Sequence, residues 1–205
     1  MKYARYEELE TVNLLLRKIT KEDGNDFFYR FGGNEQVARY MLWKPHESLE
    51  DTQESIERTL KRYEEGNCYR WGIALRSDNS LIGMIDLLRF DEEESSCSFA
   101  YMIGTDFWGK GFGTEALLAV LKYAFEKMDM KVIKADHMCE NSASGAVMRK
   151  VGMHYVKTYI AKYEKEGKHY DADEYEITDK EWKILKDNKH VLLREKVLQC
   201  KTIQL

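Results

Sequence analysis

Gly109, Gly111 and Gly113 alternate with Lys110 and Phe112, directly after the apolar run Tyr101-Met102-Ile103 and before Thr114-Glu115-Ala116. Glycine has no Cβ and tolerates positive φ, so a turn of this composition lets bare backbone approach a ligand. At a helix start it gathers unpaired N–H groups where the helix dipole is positive, which suits a phosphate. Lys110 adds a mobile positive charge. Ligand-free strand-to-helix turns share this composition, so phosphate binding and plain connection both stay open on this feature alone. Spacing excludes two familiar loops. A Walker loop needs Gly-Lys followed by Ser or Thr, and here Lys110 precedes Gly111. A dinucleotide fingerprint needs its third glycine three places after the second, whereas Gly113 follows Gly111 by two.

Other chemistry-bearing residues are sparser. Asp86 interrupts the apolar stretch Gly83 to Leu88. It is either a buried carboxylate with a raised pKa suited to general-base work or a surface-facing residue of a strand. The acidic run Asp91 to Glu94 is a hairpin tip or an attractor for a cationic amine. His137 reads as structural. Cys68, Cys97, Cys139 and Cys200 lack Cys-x-x-Cys spacing, which argues for reduced thiols and no metal site, with Cys139 the one candidate nucleophile.

Composition narrows the class. The chain has 205 residues, 43% hydrophobic and 33% charged, as in one globular domain with a sizeable core. A net charge of −4 speaks against a general nucleic-acid surface. No apolar run approaches the ~20 residues of a membrane span. The start, Met1-Lys2-Tyr3-Ala4-Arg5, does not read as a signal peptide, so a cytoplasmic location is expected.

The elements that must hold the glycine turn follow from periodicity. Val12 to Ile19 reads as a first strand, and Thr20 caps a short helix carrying Phe27, Phe28 and Phe31 up to Gly32-Gly33. A second short helix starts at Glu35, and Ser48 caps a longer one with Ile56, Leu60 and Tyr63 on one face. Tyr69–Arg76, Leu81–Phe90 and Ser96–Ile103 form a three-strand meander leading into the turn. The stripe Ala116, Leu117, Val120, Leu121, Ala124, Phe125 and Met128 is a helix packed on a sheet. Val132–Cys139 then completes a right-handed strand–helix–strand crossover, so the sheet is mixed. Asn141 is a natural N-cap for a helix ending at Gly152, and Tyr155–Tyr163 with Tyr170–Ile177 closes a hairpin. Beyond Glu181, Trp182, Leu185, Val191, Leu192 and Leu193 suit an appended amphipathic helix, packed on this domain or on a partner.

The turn resembles the coenzyme A loop of the GNAT acetyltransferase superfamily, Gln/Arg-x-x-Gly-x-Gly/Ala, read onto Trp108, Gly109, Lys110, Gly111, Phe112 and Gly113, with Trp108 in the Gln/Arg place. Its continuation to Ala116 is similar to the branch that acetylates N-termini of ribosomal proteins and related amines. Asn141-x-x-Ser144, the ending Lys150-Val151-Gly152-Met153, Gly167-Lys168-His169-Tyr170-Asp171 and Tyr175-Glu176-Ile177-Thr178 resemble the same family, so the likeness spans roughly residues 12 to 182.

The resemblance implies an α+β fold: a mixed, mostly antiparallel sheet with splayed central strands and helices on both faces. Residues 1–182 would form the domain and 183–205 an extension. It implies acetyl-CoA as co-substrate, with the pantetheine paired to a bulged strand at Tyr101-Met102-Ile103, hence Met102 and Ile103. The pyrophosphate would lie on amides from Gly109 to Thr114. Asn141 would touch the pantetheine arm, cap its helix, or both. Ser144 would assist thiolate departure, or be an ordinary first-turn helix serine. A tyrosine common four places before Gly152 is Met148 here, and a glutamate common three before Tyr101 is Ser98. Another family carboxylate falls at or beside Tyr163, so Glu164 joins Asp86 as a candidate base. The implied acceptor is a primary amine, on a protein N-terminus or a small molecule, with neither nucleic acid nor membrane involved and the enzyme a monomer or homodimer. An α-amine, with pKa near 8 against about 10.4 for lysine, would ask least of a base. The missing tyrosine and the replaced glutamate and glutamine leave a second reading, a non-catalytic acyl-CoA-binding or interaction module of the same fold.

Overall fold

The computed structural model describes residues 4–66 and 68–187. One sheet of eight strands runs in the order β1-β2-β3-β4-β5-β6-β8-β7. The strands are β1 Leu9–Glu10, β2 Leu14–Arg17, β3 Tyr69–Leu75, β4 Leu81–Asp91, β5 Ser96–Ile103, β6 Val132–Met138, β7 His154–Lys165 and β8 Lys168–Thr178. Every pairing is antiparallel except β5 with β6. The helices are α1 Gly24–Phe27, α2 Glu35–Ala38, α3 Leu49–Glu64, α4 Phe112–Glu126, α5 Ser142–Lys150 and α6 Asp179–Asp187.

Side chains alternate across the sheet and feed two cores. On one face Cys97, Phe99 and Ile103 of β5, with Ile133 and Ala135 of β6, pack against Leu117, Val120, Leu121 and Ala124 of α4 and Met148 of α5. On the other, Met84, Ile19, Phe27, Phe31 and Ile56 form a smaller cluster beneath α1 and α3, against which Met102 leans. Helices therefore cover both faces.

Local departures from periodicity have identifiable causes. The first strand shortens to β2 because residues 11–13 form a turn that binds the helix opposite. Its Thr11 Oγ1 and Asn13 N and Nδ2 donate to the Glu115 carboxylate at 2.6, 2.8 and 2.9 Å. The helix after Thr20 divides into a 3-10 turn Lys21–Asp23, α1 and a π turn Phe28–Gly32. The wider turn lets Phe27 and Phe31 stack at 4.6 Å in the same core. The acidic run is an exposed hairpin tip, with Glu94 bonded to Lys134 at 3.0 Å. The appended helix is α6, packed on its own domain: Trp182 stacks on Phe125 at 5.7 Å, and Lys186 pairs with Glu126 at 2.7 Å. Val191, Leu192 and Leu193 lie outside the described residues.

One feature of the sheet makes room for a ligand. β5 and β6 pair only at Ser96–Ser98 with Val132–Lys134; beyond those residues the pairing stops and a slot opens between the two strands. The crossover through α4 starts at the wide end of that slot.

Candidate active site

The glycine turn stands at the mouth of the slot. Gly109 and Gly111 hold φ of +73° and +86°, a left-handed backbone that glycine adopts without strain, and Gly111 is the N-cap of α4. A Cβ at either position would meet no protein atom within 4 Å, so this side of the turn faces open space. The first intrahelical bond of α4 is Glu115 N to Gly111 O at 3.0 Å, which leaves the N–H groups of Phe112, Gly113 and Thr114 without helical acceptors. These amides at the positive end of a helix fit a diphosphate. The Glu115 anchor to Thr11 and Asn13 fixes the helix end. Trp108 braces the turn: its Nε1 donates to Ile103 O at 2.7 Å. Lys110 lies over the Phe107 ring at 5.4 Å.

The strand edge along the slot differs from expectation in two respects. The β4–β5 register is unbroken from Leu88↔Ser98 to Gly83↔Ile103, so no bulge occurs at Tyr101-Met102-Ile103; the irregularity lies between Leu88 and Asp91. Gly104 N bonds to Ile82 O, and by antiparallel alternation the Met102 backbone also faces β4. Tyr101 turns its backbone groups to the slot, and Ile103 its N–H, the Ile103 carbonyl being taken by Trp108. Met102 therefore offers neither backbone nor side chain there, and Tyr101 takes its place.

Asn141 caps α5, its Oδ1 accepting from Ser144 N at 3.4 Å. Ser144 lies beside the Tyr101 hydroxyl, whose pKa burial raises while the neighbouring Ser144 acts the other way. Gly113 closes this corner, since a Cβ there would touch Ile103 and Tyr101 at 3.4 Å. Glycine turn, slot edge and Ser144 thus meet at one place. The exposed Cys139 thiol is pushed above its ordinary range by desolvation and by the Asp173 carboxylate, 3.4 Å from its sulfur, which disfavours a thiolate there. His137 packs under α5, its ring stacked on Tyr175 at 5.6 Å and its Nε2 crowding Gly145.

Both candidate bases are corrected. Asp86 makes a bidentate ion pair with Arg70 at 2.7 and 2.8 Å, and Arg70 also donates to Thr59 at 2.9 Å. Through Arg70 and Thr59 it forms a cross-link between β4, β3 and α3. Glu164 is exposed, opposite His169 near the hairpin tip. The inward side chain at that point is Tyr163, which donates to Asp136 of β6. Sequence reasoning missed Asp136 and the Tyr101 hydroxyl, because neither position carries a motif.

The β7–β8 hairpin tip is fastened to α2 by Lys165, whose Nζ donates to Ala38 O at 2.7 Å and Arg39 O at 3.2 Å. Beside this clasp lies an open cavity of about 510 Å³ lined by Arg39, Tyr40, Glu140, Lys168, His169 and Tyr170. It adjoins Asn141 through Glu140. Among the described residues no group of three His, Cys, Asp or Glu side chains is placed to hold a metal ion, and no helix is long and apolar enough to cross a membrane.

A mixed sheet parted at two central strands, with a glycine turn and helix N-terminus at the opening, defines an acyl-CoA transferase fold. Residues 13–154 match the Acetyltransferase (GNAT) domain family. The N-acetyltransferase YoaA of Bacillus subtilis (strain 168), of uncharacterized function, is 30% identical over 169 residues, covering 82% of this chain and 95% of its own. YdaF of the same organism, provisionally named a ribosomal N-acetyltransferase, is 28% identical over 151 residues, 72% of this chain and 81% of its own. The spermidine N-acetyltransferase of Vibrio cholerae, solved with CoA and spermine, has the same fold at a TM-score of 0.71 and 20% identity, covering 82% of this chain and 97% of that one. The chain belongs to the GNAT acetyltransferase family and is an N-acetyltransferase.

Proposed function

We propose that this enzyme transfers the acetyl group of acetyl-CoA to a primary amine, on a protein N-terminus or a small molecule, by direct attack within a ternary complex. The observation that carries the reading is the meeting of the left-handed Gly109–Gly111 turn, the unpaired β5 edge and Ser144 at one end of the slot. Amides from Gly109 to Thr114 would hold the diphosphate, and the Tyr101 and Ile103 backbone would pair with the pantetheine arm. When bound, acetyl-CoA supplies an activated thioester. An N–H preset toward the carbonyl oxygen stabilises developing negative charge by roughly 3 kcal/mol in comparable sites. Ser144, beside Tyr101 and in the first turn of α5, would deliver a proton to the departing sulfur. The acceptor would enter from the opposite face through the polar cavity under the Lys165 clasp.

The test is CoA release, followed with a thiol reagent, from acetyl-CoA and a panel of alanine- and serine-headed peptides, spermidine and benzylamine. Acetyl-CoA binding with release for at least one amine is expected. Binding without release for any amine would favour an acyl-CoA-binding module.

A further inference from the structure

Asp136 draws groups from two distorted strands. It lies on β6 two residues past Lys134, the last residue paired with β5, so it stands where the slot has opened. By alternation its side chain lies on the face opposite Ala135 and the α4–α5 core, the face where Ser98 and Met102 also lie. That carboxylate is 10% exposed. Tyr163 Oη donates to Oδ1, Lys162 Nζ lies 2.7 Å from Oδ2, and Arg89 lies 3.7 Å from Oδ2. Both strands reach it through bulges. In β7 the register jumps between Tyr159↔Ala172 and Tyr163↔Tyr170, with Ala161 at φ +50°. In β4 the irregularity between Leu88 and Asp91 contains Arg89 at φ +52°. Left-handed backbone at non-glycine residues costs about 1–3 kcal/mol each, and such strain clusters where a bulge re-aims side chains at a working site.

We propose that Tyr163 and Asp136 form the proton-accepting pair for the acceptor amine, an inference that rests on the acetyl-transfer reading. The pair stands on the acceptor face of the slot, across the sheet from Ser144, and replaces the two absent carboxylates, since Ser98 bears none and Glu164 points away. The acceptor ammonium passes a proton to Tyr163 Oη as the Tyr163 hydroxyl proton moves to Asp136. The neutral nitrogen forms the N–C bond and the C–S bond breaks. Sulfur takes a proton through Ser144, which recovers one from the newly bonded nitrogen, and Asp136 returns its proton to water. Lys162 and Arg89 lie against the carboxylate as its counter-charges. The remaining charged neighbours are engaged elsewhere: Glu174, opposite on β8, accepts from Tyr159 at 3.1 Å, and Lys134 pairs with Glu94.

The experiment compares wild type, Tyr163→Phe and Asp136→Asn on the fastest amine of the panel above and on its aminooxy counterpart, which has the same skeleton but is neutral at pH 7. General-base loss predicts a fall in kcat/KM of about 100-fold or more for the amine. The aminooxy compound, having no proton to lose before attack, should fall less than about fivefold, with acetyl-CoA affinity unchanged. Equal losses for both acceptors, or no loss for either, would overturn the pair. Should Asp136→Asn fail to fold, Tyr163→Phe, which removes one oxygen, carries the comparison alone. A wild-type enzyme inert toward every amine sinks the parent reading instead.

Discussion

The indole Nε1 of Trp108 donates a 2.7 Å hydrogen bond back to the carbonyl of Ile103, tying the last residue of β5 to the start of the glycine turn. The family's polar Gln or Arg is replaced by a residue that stabilises the turn through its own ring. A neutral hydrogen bond contributes about 1 kcal/mol net to stability. Trp108→Phe keeps the ring and loses the donor, so the melting temperature should fall by about 2–4 °C and the acetyl-CoA Kd, read by calorimetry, should rise as the turn loosens. An unchanged Kd would mean that the tie does not shape the phosphate site.

Gly111 sits at φ +86° with open space beside it. The first property makes any side chain strained there by roughly 1–2 kcal/mol; the second means a side chain would project into the space proposed for the diphosphate. Gly111→Val should therefore lower the urea midpoint modestly and abolish acetyl-CoA binding. Retention of wild-type affinity would count heavily against the loop assignment.

Arg70 and Asp86 test the separation of stability from chemistry. Their side chains are 21% and 19% exposed, and the ion pair raises the Arg70 pKa further above its ordinary range, against the effect of burial. Arg70→Met strands the carboxylate, and loss of one partner of such a buried pair costs about 3–5 kcal/mol in denaturant unfolding. Asp86→Asn should destabilise less and leave the pH profile of kcat/KM in place. A lost acidic limb in Asp86→Asn would restore Asp86 as the base.

His46 links pH to the stability of the fold. Burial, its largest influence, lowers its pKa below 6.5, and its Nδ1 lies 2.8 Å from Thr52 Oγ1. The unfolded chain therefore binds this proton at a higher pH than the folded one does. His46 thus contributes to a loss of stability as pH falls through about 6.5, ending below its folded pKa. Urea midpoints at pH 7.5, 6.5 and 5.5 should fall less steeply in His46→Gln than in wild type. Parallel curves for the two proteins would refute the assignment.

Much of this architecture was legible in one dimension because local periodicity encodes it. The α4 stripe, the β3–β5 meander, the Asn141 cap and the glycine turn each depend on neighbours in sequence. The resemblance implied splayed central strands, and the β5–β6 pairing does end after three residues. Met102 misled because backbone direction depends on which neighbour a strand pairs with, and the β4 register decides that. Asp86 misled because an isolated carboxylate in an apolar strand looks the same whether or not an arginine 16 residues earlier lies against it.

What the sequence determined by itself was the family, the fold class and the glycine turn proposed to hold the diphosphate, all written in contiguous residues of restricted type. Only the tertiary structure decided which acids are occupied and which face the slot. Asp136 acquires its meaning from Lys162, Tyr163 and Arg89, and those three reach it solely because two strands bulge. A bulge is set by the pairing of distant strands, and no spacing along one strand announces it.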